Sequence, residues 1–111
     1  MITTESVDIE QQLKRIKMNY LQMTAHDLLL DIHALEEELL EFERKYGIRS
    51  ETFYAAYAAG EEPDDDAWVL DFGEWASIYT TWLTRQAEYR DEVRHLQAQA
   101  HSLSGLIRIA A

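Results

Sequence analysis

Residues 68–107 read WVLDFGEWASIYTTWLTRQAEYRDEVRHLQAQAHSLSGLI, and the spacing of the large side chains in this stretch decides the fold. Trp68, Phe72, Trp75, Tyr79, Trp82, Gln86, Tyr89, Val93, Leu96, Ala100, Leu103 and Ile107 follow one another at alternating steps of four and three. Gln86 is the one polar member. A strand places alternate residues on one face and cannot use this period, whereas a helix gathers such residues into a stripe that winds slowly around a partner. The pattern predicts one helix over about residues 65–107, on the order of 60 Å long at ~1.5 Å per residue. Asp64, Asp65 and Asp66 suit its start, because short acids accept from free amides and face the positive end of the dipole. Gly73 weakens the interior without breaking it.

Working back toward the N-terminus, a matching stripe runs through Leu21, Ala25, Leu28, Ile32, Leu35, Leu39, Phe42 and Tyr46. Ile9, Leu13, Ile16, Tyr20 and Met23 form a further run whose face is offset by one position. Either the helix continues across a stutter, or it breaks where Thr24 and Asp27 resemble a capping pair. With no Gly or Pro in the way, the expectation is one helix over about residues 4–46, stopped by Gly47. Between the two long elements a short helix is expected over residues 51–59, capped by Ser50 and ended by Gly60. Phe53, Tyr54 and Tyr57 share one of its faces.

Two long helices joined by roughly twenty residues should fold back antiparallel. Tyr46 would then meet Trp68 near the bend, and Leu28 would lie across from Gln86. The expected fold is all-α: a single domain built as a long, coiled-coil-like helical hairpin, with the short helix covering an aromatic cluster at the bend. The far end has two helices only, so dimerisation into a four-helix bundle is expected there, through Ile2, Leu106, Ile107 and Ile109.

Composition agrees and narrows the function. The chain has 111 residues, 47% of them hydrophobic, with four glycines, one proline and no cysteine. That is enough apolar material for one core and few turns. Disulfides and thiolate metal sites are excluded. Twenty-one acidic against ten basic residues give a formal net charge of −11, which opposes attraction to nucleic acid or anionic lipid and favours a basic protein partner. No apolar run nears the roughly 18 residues of a membrane span, and no secretory signal opens the sequence, so a cytoplasmic protein is expected.

Catalytic and metal chemistry find little footing. An EF-hand begun at Asp64 would place Val69 at its glycine position and Trp75 at its closing glutamate position, so the loop fails. A di-metal helical bundle needs two Glu-x-x-His pairs, and only Glu92 with His95 has that spacing. His26 and His33 share a face as a polar flank. There is no Gly-x-Ser-x-Gly elbow and no phosphate loop, and Ser102 and Ser104 beside His101 are expected at a fraying helix end. No cofactor, no metal and no enzymatic activity are expected. The candidate partner-binding residues are Glu61, Glu62, Asp64, Asp65 and Asp66 at the bend, followed by Glu36, Glu37 and Glu41 on the first helix.

One segment also carries a resemblance. Phe42-Glu43-Arg44-Lys45-Tyr46-Gly47, then Ser50, Phe53-Tyr54, Tyr57, Gly60-Glu61, Asp65-Asp66, and Glu74-Trp75-Ala76 with Tyr79 resemble a family of small bacterial and archaeal helical proteins. Many of these look like the antitoxin halves of type II toxin–antitoxin pairs, beside ribonuclease-like toxins such as the TumE type. The likeness spans residues 39–79, and the same residues also read as helix stops, a cap and a core. After Gly60 this chain departs from the family's Gly-Glu-Leu-Gly-Asp-like turn, with Glu61-Glu62-Pro63 in its place. The resemblance implies a protein that binds a basic toxin and blocks its working surface.

Overall fold

A computed structural model describes residues 23–110, and the described chain is all-α. Four helices follow in order: α1 Ala25–Tyr46, α2 Ser50–Ala58, α3 Trp68–Gln99 and α4 Leu103–Ala110. The expectations for Ile2, for Ile9, Leu13, Ile16, Tyr20 and Leu21, and for a helix over residues 4–22 lie outside the described residues.

The first helix does not run through Thr24. Thr24 is extended (φ −69°, ψ 163°), and its hydroxyl accepts from the amide of Asp27 at 3.1 Å. The capping pair therefore wins over the stutter: a threonine hydroxyl satisfying an otherwise free amide fixes the start of α1. At the other end Gly47 adopts φ +77°, and its amide donates to the Glu43 carbonyl. That left-handed stop is one a residue with a Cβ reaches only at a cost.

The two long helices pack antiparallel along the two stripes. Ala25, Leu28, Ile32 and Leu39 of α1 are buried, as are Trp75, Ala76 and Leu96 of α3. Tyr46 meets Trp68 edge-on at 6.2 Å, as the fold-back requires. Two ion pairs flank this seam: Arg85 Nε donates to Asp31 Oδ2 at 2.7 Å, and Lys45 Nζ to Asp71 Oδ2 at 2.6 Å. Asp31 precedes Lys45 by fourteen residues and Asp71 precedes Arg85 by the same number, so both pairs occupy one heptad position and hold one register. The half-buried Gln86 follows Arg85 directly, and the polar break in the stripe thus coincides with a charged crosslink.

α3 holds together over 32 residues, about 48 Å. Gly73 lies within it without interruption. Thr80, Thr81 and Thr84, indifferent helix formers, return their hydroxyls to carbonyls of the preceding turn. The helix ends at Gln99, however, and not near Ile107. Ala100 is extended (φ −115°, ψ 123°), and Ser102 starts a new helix by accepting from the Gly105 amide at 3.0 Å. Ser102 is a cap, not a residue of a fraying end. Past the break, Leu103 and Ile107 keep the spacing of the stripe but are largely exposed, while the half-buried Leu106 lines, together with Ile107, a hollow shared with Leu29, Tyr89 and Val93.

The core is densest at the bend. Leu39, Phe53, Trp75 and Ala76 form the buried cluster, with Phe42, Tyr46, Tyr54, Phe72, Tyr79 and Trp82 packed against it. Trp75 is fully buried. Phe53 stacks on its ring at 3.9 Å, and Phe42 and Tyr46 stack with it at 5.6 Å. Each such ring removes ~150–250 Å² from water, so the head is the best-anchored part of the hairpin.

Candidate protein-interaction surface

The head is built by three local devices. The first replaces the expected Ser50 cap. Arg49 occupies the cap position, and Ser50 is the first residue of α2. The Glu43 carboxylate supplies the missing acceptor, taking both the Ser50 amide and the Ser50 hydroxyl at 2.8 Å. Ser50 Oγ is thereby free to accept from the Trp75 indole nitrogen at 2.9 Å. One chain of donors thus ties α3 to α2 and α2 to α1.

The second device ends α2. Gly60, at φ +94°, donates to the Tyr57 carbonyl while Glu61 N–H donates to that of Ala56. This paired arrangement is a Schellman stop, and it throws residues Glu61–Asp64 across the end of the hairpin. The third starts α3. Asp65 Oδ1 accepts from the Ala67 amide at 2.9 Å, and the Asp65 and Asp66 carbonyls accept from Trp68 and Val69. The regular helix thus begins at Trp68, after a short turn led by Asp65.

Between α2, this acidic loop and α3 opens a cleft of about 260 Å³. Its floor and walls are Ile48, Phe53, Tyr57, Trp68 and Phe72, and its rim carries Glu61, Glu62 and Asp64. Trp68 is 39% exposed and Ile48 45%, although both belong to the apolar set. Val69 and Leu70 continue the exposed apolar surface around the first turn of α3, Leu70 being 84% exposed.

Charge around the cleft is one-sided. No Lys, Arg or His occurs between Arg49 and Arg85. Flanking the loop among the described residues, Arg49 pairs with Glu51 at 3.2 Å and Lys45 with Asp71, while the exposed Arg44 in the last turn of α1 forms no ion pair. Among the described residues Glu61, Glu62, Asp64, Asp65 and Asp66 form no ion pair. Asp71 behaves differently. Hydrogen bonds from Lys45 and Tyr46 to its carboxylate hold it below the usual aspartate range. The same bond raises Lys45 above its ordinary value, and burial, aided by Asp71, raises Tyr46.

Of the candidate residues, the fold brings Glu61, Glu62 and Asp64 together on the rim, with Asp65 and Asp66 adjoining in the turn before α3. Glu36, Glu37 and Glu41 are exposed on α1 and do not line the cleft. Glu36 instead lies 3.4 Å from His33 Nδ1 and borders a smaller hollow, about 200 Å³, with Glu43, Arg49 and Glu51. The apolar half of the surface, Ile48, Tyr57 and Trp68, did not stand out in the sequence as a binding element. The available signal was Trp68, the first residue of the stripe, for which the hairpin has few remaining residues to provide cover.

Among the described residues no group of three or more His, Asp or Glu is placed to hold a metal ion, and no helix is long and apolar enough to cross a membrane. No protein-family model matches the chain, and neither a curated protein nor a solved structure does.

Proposed function

We propose that this chain is a non-catalytic acidic protein of the cytoplasm that works by binding, in the manner of an antitoxin that neutralises a small basic toxin. The observation that carries the reading is the separation of charge: residues 50–84 hold eight carboxylates and no cation, and among the described residues Glu61, Glu62, Asp64, Asp65 and Asp66 form no ion pair, the first three lining an aromatic cleft. Such a surface attracts a basic protein at a distance and rejects acidic ones, which raises association rate and selectivity. It also repels nucleic acid directly, so neutralisation would act on the toxin and not on its RNA substrate. The resemblance of residues 39–79 to antitoxins points the same way. Co-expression with the product of the adjacent gene tests the proposal: growth is restored if that product is a toxin held by this chain, and absence of both rescue and co-purification refutes it.

A second reading has its own observation. Leu103 (72% exposed), Ile107 and Ile109 leave an apolar surface at the far end of the hairpin. A structural adaptor would use that surface to assemble, beginning with a homodimer that completes a four-helix bundle. Light scattering at micromolar concentration separates the two, since a monomer removes the dimer while leaving the head available.

A further inference from the structure

Given a basic protein partner, the reading on which this inference rests, the cleft at the bend specifies more than an acidic attraction by its size and lining. At about 260 Å³ the cleft falls just below the ~300–1,000 Å³ of small-molecule pockets, and it suits one side chain of a partner. Its walls offer the ring faces or edges of Tyr57, Trp68 and Phe72, while three carboxylates, Glu61, Glu62 and Asp64, stand at the mouth. An apolar partner residue would fill the walls but leave those acids unanswered. A lysine would pack its stem on the walls and bring a charge to the acids, but its ammonium has no plane to stack on the indole and no fork to meet carboxylates in pairs. A guanidinium on a three-carbon stem answers both, because its stem packs against apolar walls, its plane stacks on an indole, and its fork meets carboxylates in pairs. Charge complementarity favours a cation here: residues 50–84 contain no Lys, Arg or His, and among the described residues Lys45 and Arg49 are paired with Asp71 and Glu51.

We infer that the cleft between α2 and the start of α3 receives a single arginine side chain from the basic partner, stacked on Trp68 and held by Glu61, Glu62 and Asp64. The acids therefore act as the rim of a socket, and the partner needs one projecting arginine in addition to a general positive charge.

The test uses the full chain and blocked twelve-residue peptides of Gly and Ser with one central arginine flanked by two lysines, the central residue being replaced in parallel by citrulline, its uncharged isostere. Binding is followed by titration calorimetry and by the indole N–H resonance of Trp68. The arginine peptide should bind at least tenfold more tightly than the citrulline peptide and should shift the Trp68 resonance while sparing that of buried Trp75. Binding should fall at least tenfold in Trp68→Ala and in the triple variant Glu61→Gln, Glu62→Gln, Asp64→Asn, with Trp68→Phe retaining most of it. The triple variant changes exposed side chains only, so its helical circular dichroism should match the parent and its binding remains interpretable. Equal binding of the two peptides, wild-type affinity in the triple variant, or no binding at all would overturn the inference. Growth rescue by the triple variant would overturn it too and leave the antitoxin reading standing. Failure of rescue with the arginine peptide seated at Trp68 would do the reverse.

Discussion

The indole nitrogen of Trp75 donates to Ser50 Oγ at 2.9 Å, and that hydroxyl donates onward to Glu43. Trp75 is fully buried and Ser50 is 4% exposed, so neither donor has water as a substitute. Removing the hydroxyl strands a buried N–H, a loss of about 1–3 kcal/mol. Ser50→Ala is expected to destabilise the chain by that amount in chemical denaturation, with an unchanged denaturant slope. Trp75→Phe discards the donor along with its need, so adding Ser50→Ala to it should cost much less than Ser50→Ala alone. Equal costs in the two backgrounds would mean that the bond contributes nothing.

Asp71 sets a pH dependence. Its carboxylate lies below the usual range when folded because Lys45 and Tyr46 donate to it. The stability it contributes is therefore complete above the ordinary aspartate value, roughly pH 4, and is lost as pH falls through the lowered folded value. Asp71→Asn should be less stable than the parent at pH 7, and the gap should close as acidification carries the pH below the ordinary aspartate value and through the lowered folded one. Denaturation midpoints measured from pH 7 to pH 2 check this; a gap that stays constant would assign the difference to packing.

Two glycines should respond in opposite directions. Gly73 lies on the exposed face of α3, and a Cβ there meets nothing within 4 Å. Gly73→Ala should stabilise by about 0.5–1 kcal/mol. Gly47 has equal space but sits at φ +77°, where a Cβ strains the backbone. Gly47→Ala should destabilise by about 1–2 kcal/mol. Thermal melts of both variants decide.

Swapping charges tests the register. Asp31→Arg alone places a second cation beside Arg85 and should lower the melting temperature, and Arg85→Asp added to it should recover most of the loss. The effect is modest, as the pair is partly exposed and such bridges contribute about 0–1 kcal/mol. Absence of recovery would place these residues apart.

Much of this architecture could be read from residue spacing. The stripe from Phe72 to Leu96 faces inward as one surface, and Trp75, Trp82 and Leu96 lie on the same side of an unbroken helix. Gly47 and Gly60 were legible because a left-handed stop strongly favours glycine. The break at Ala100 was hidden because residue counting cannot register a change of direction: Leu103 and Ile107 retain the period after the chain has turned. Ser102 carried the local signal, a hydroxyl able to start a helix. Ser50 misled for a related reason. A serine before a helix reads as a cap, whereas here a carboxylate from α1 caps it and the hydroxyl serves Trp75. Among the candidate acids, sequence identified the cluster after Gly60 but not its aromatic wall, since Ile48, Tyr57 and Trp68 converge only when α2 folds across the bend.

Amide hydrogen exchange on the full chain, alone and with the purified product of the adjacent gene, tests most directly whether the head is the working surface. Binding should slow exchange in residues 48–72, from Ile48 through the acidic loop to the first turns of α3, and leave the far end at Leu103–Ala110 unchanged. Protection concentrated at α4, or along the Glu36–Glu41 face of α1 with the loop unaffected, would contradict the account.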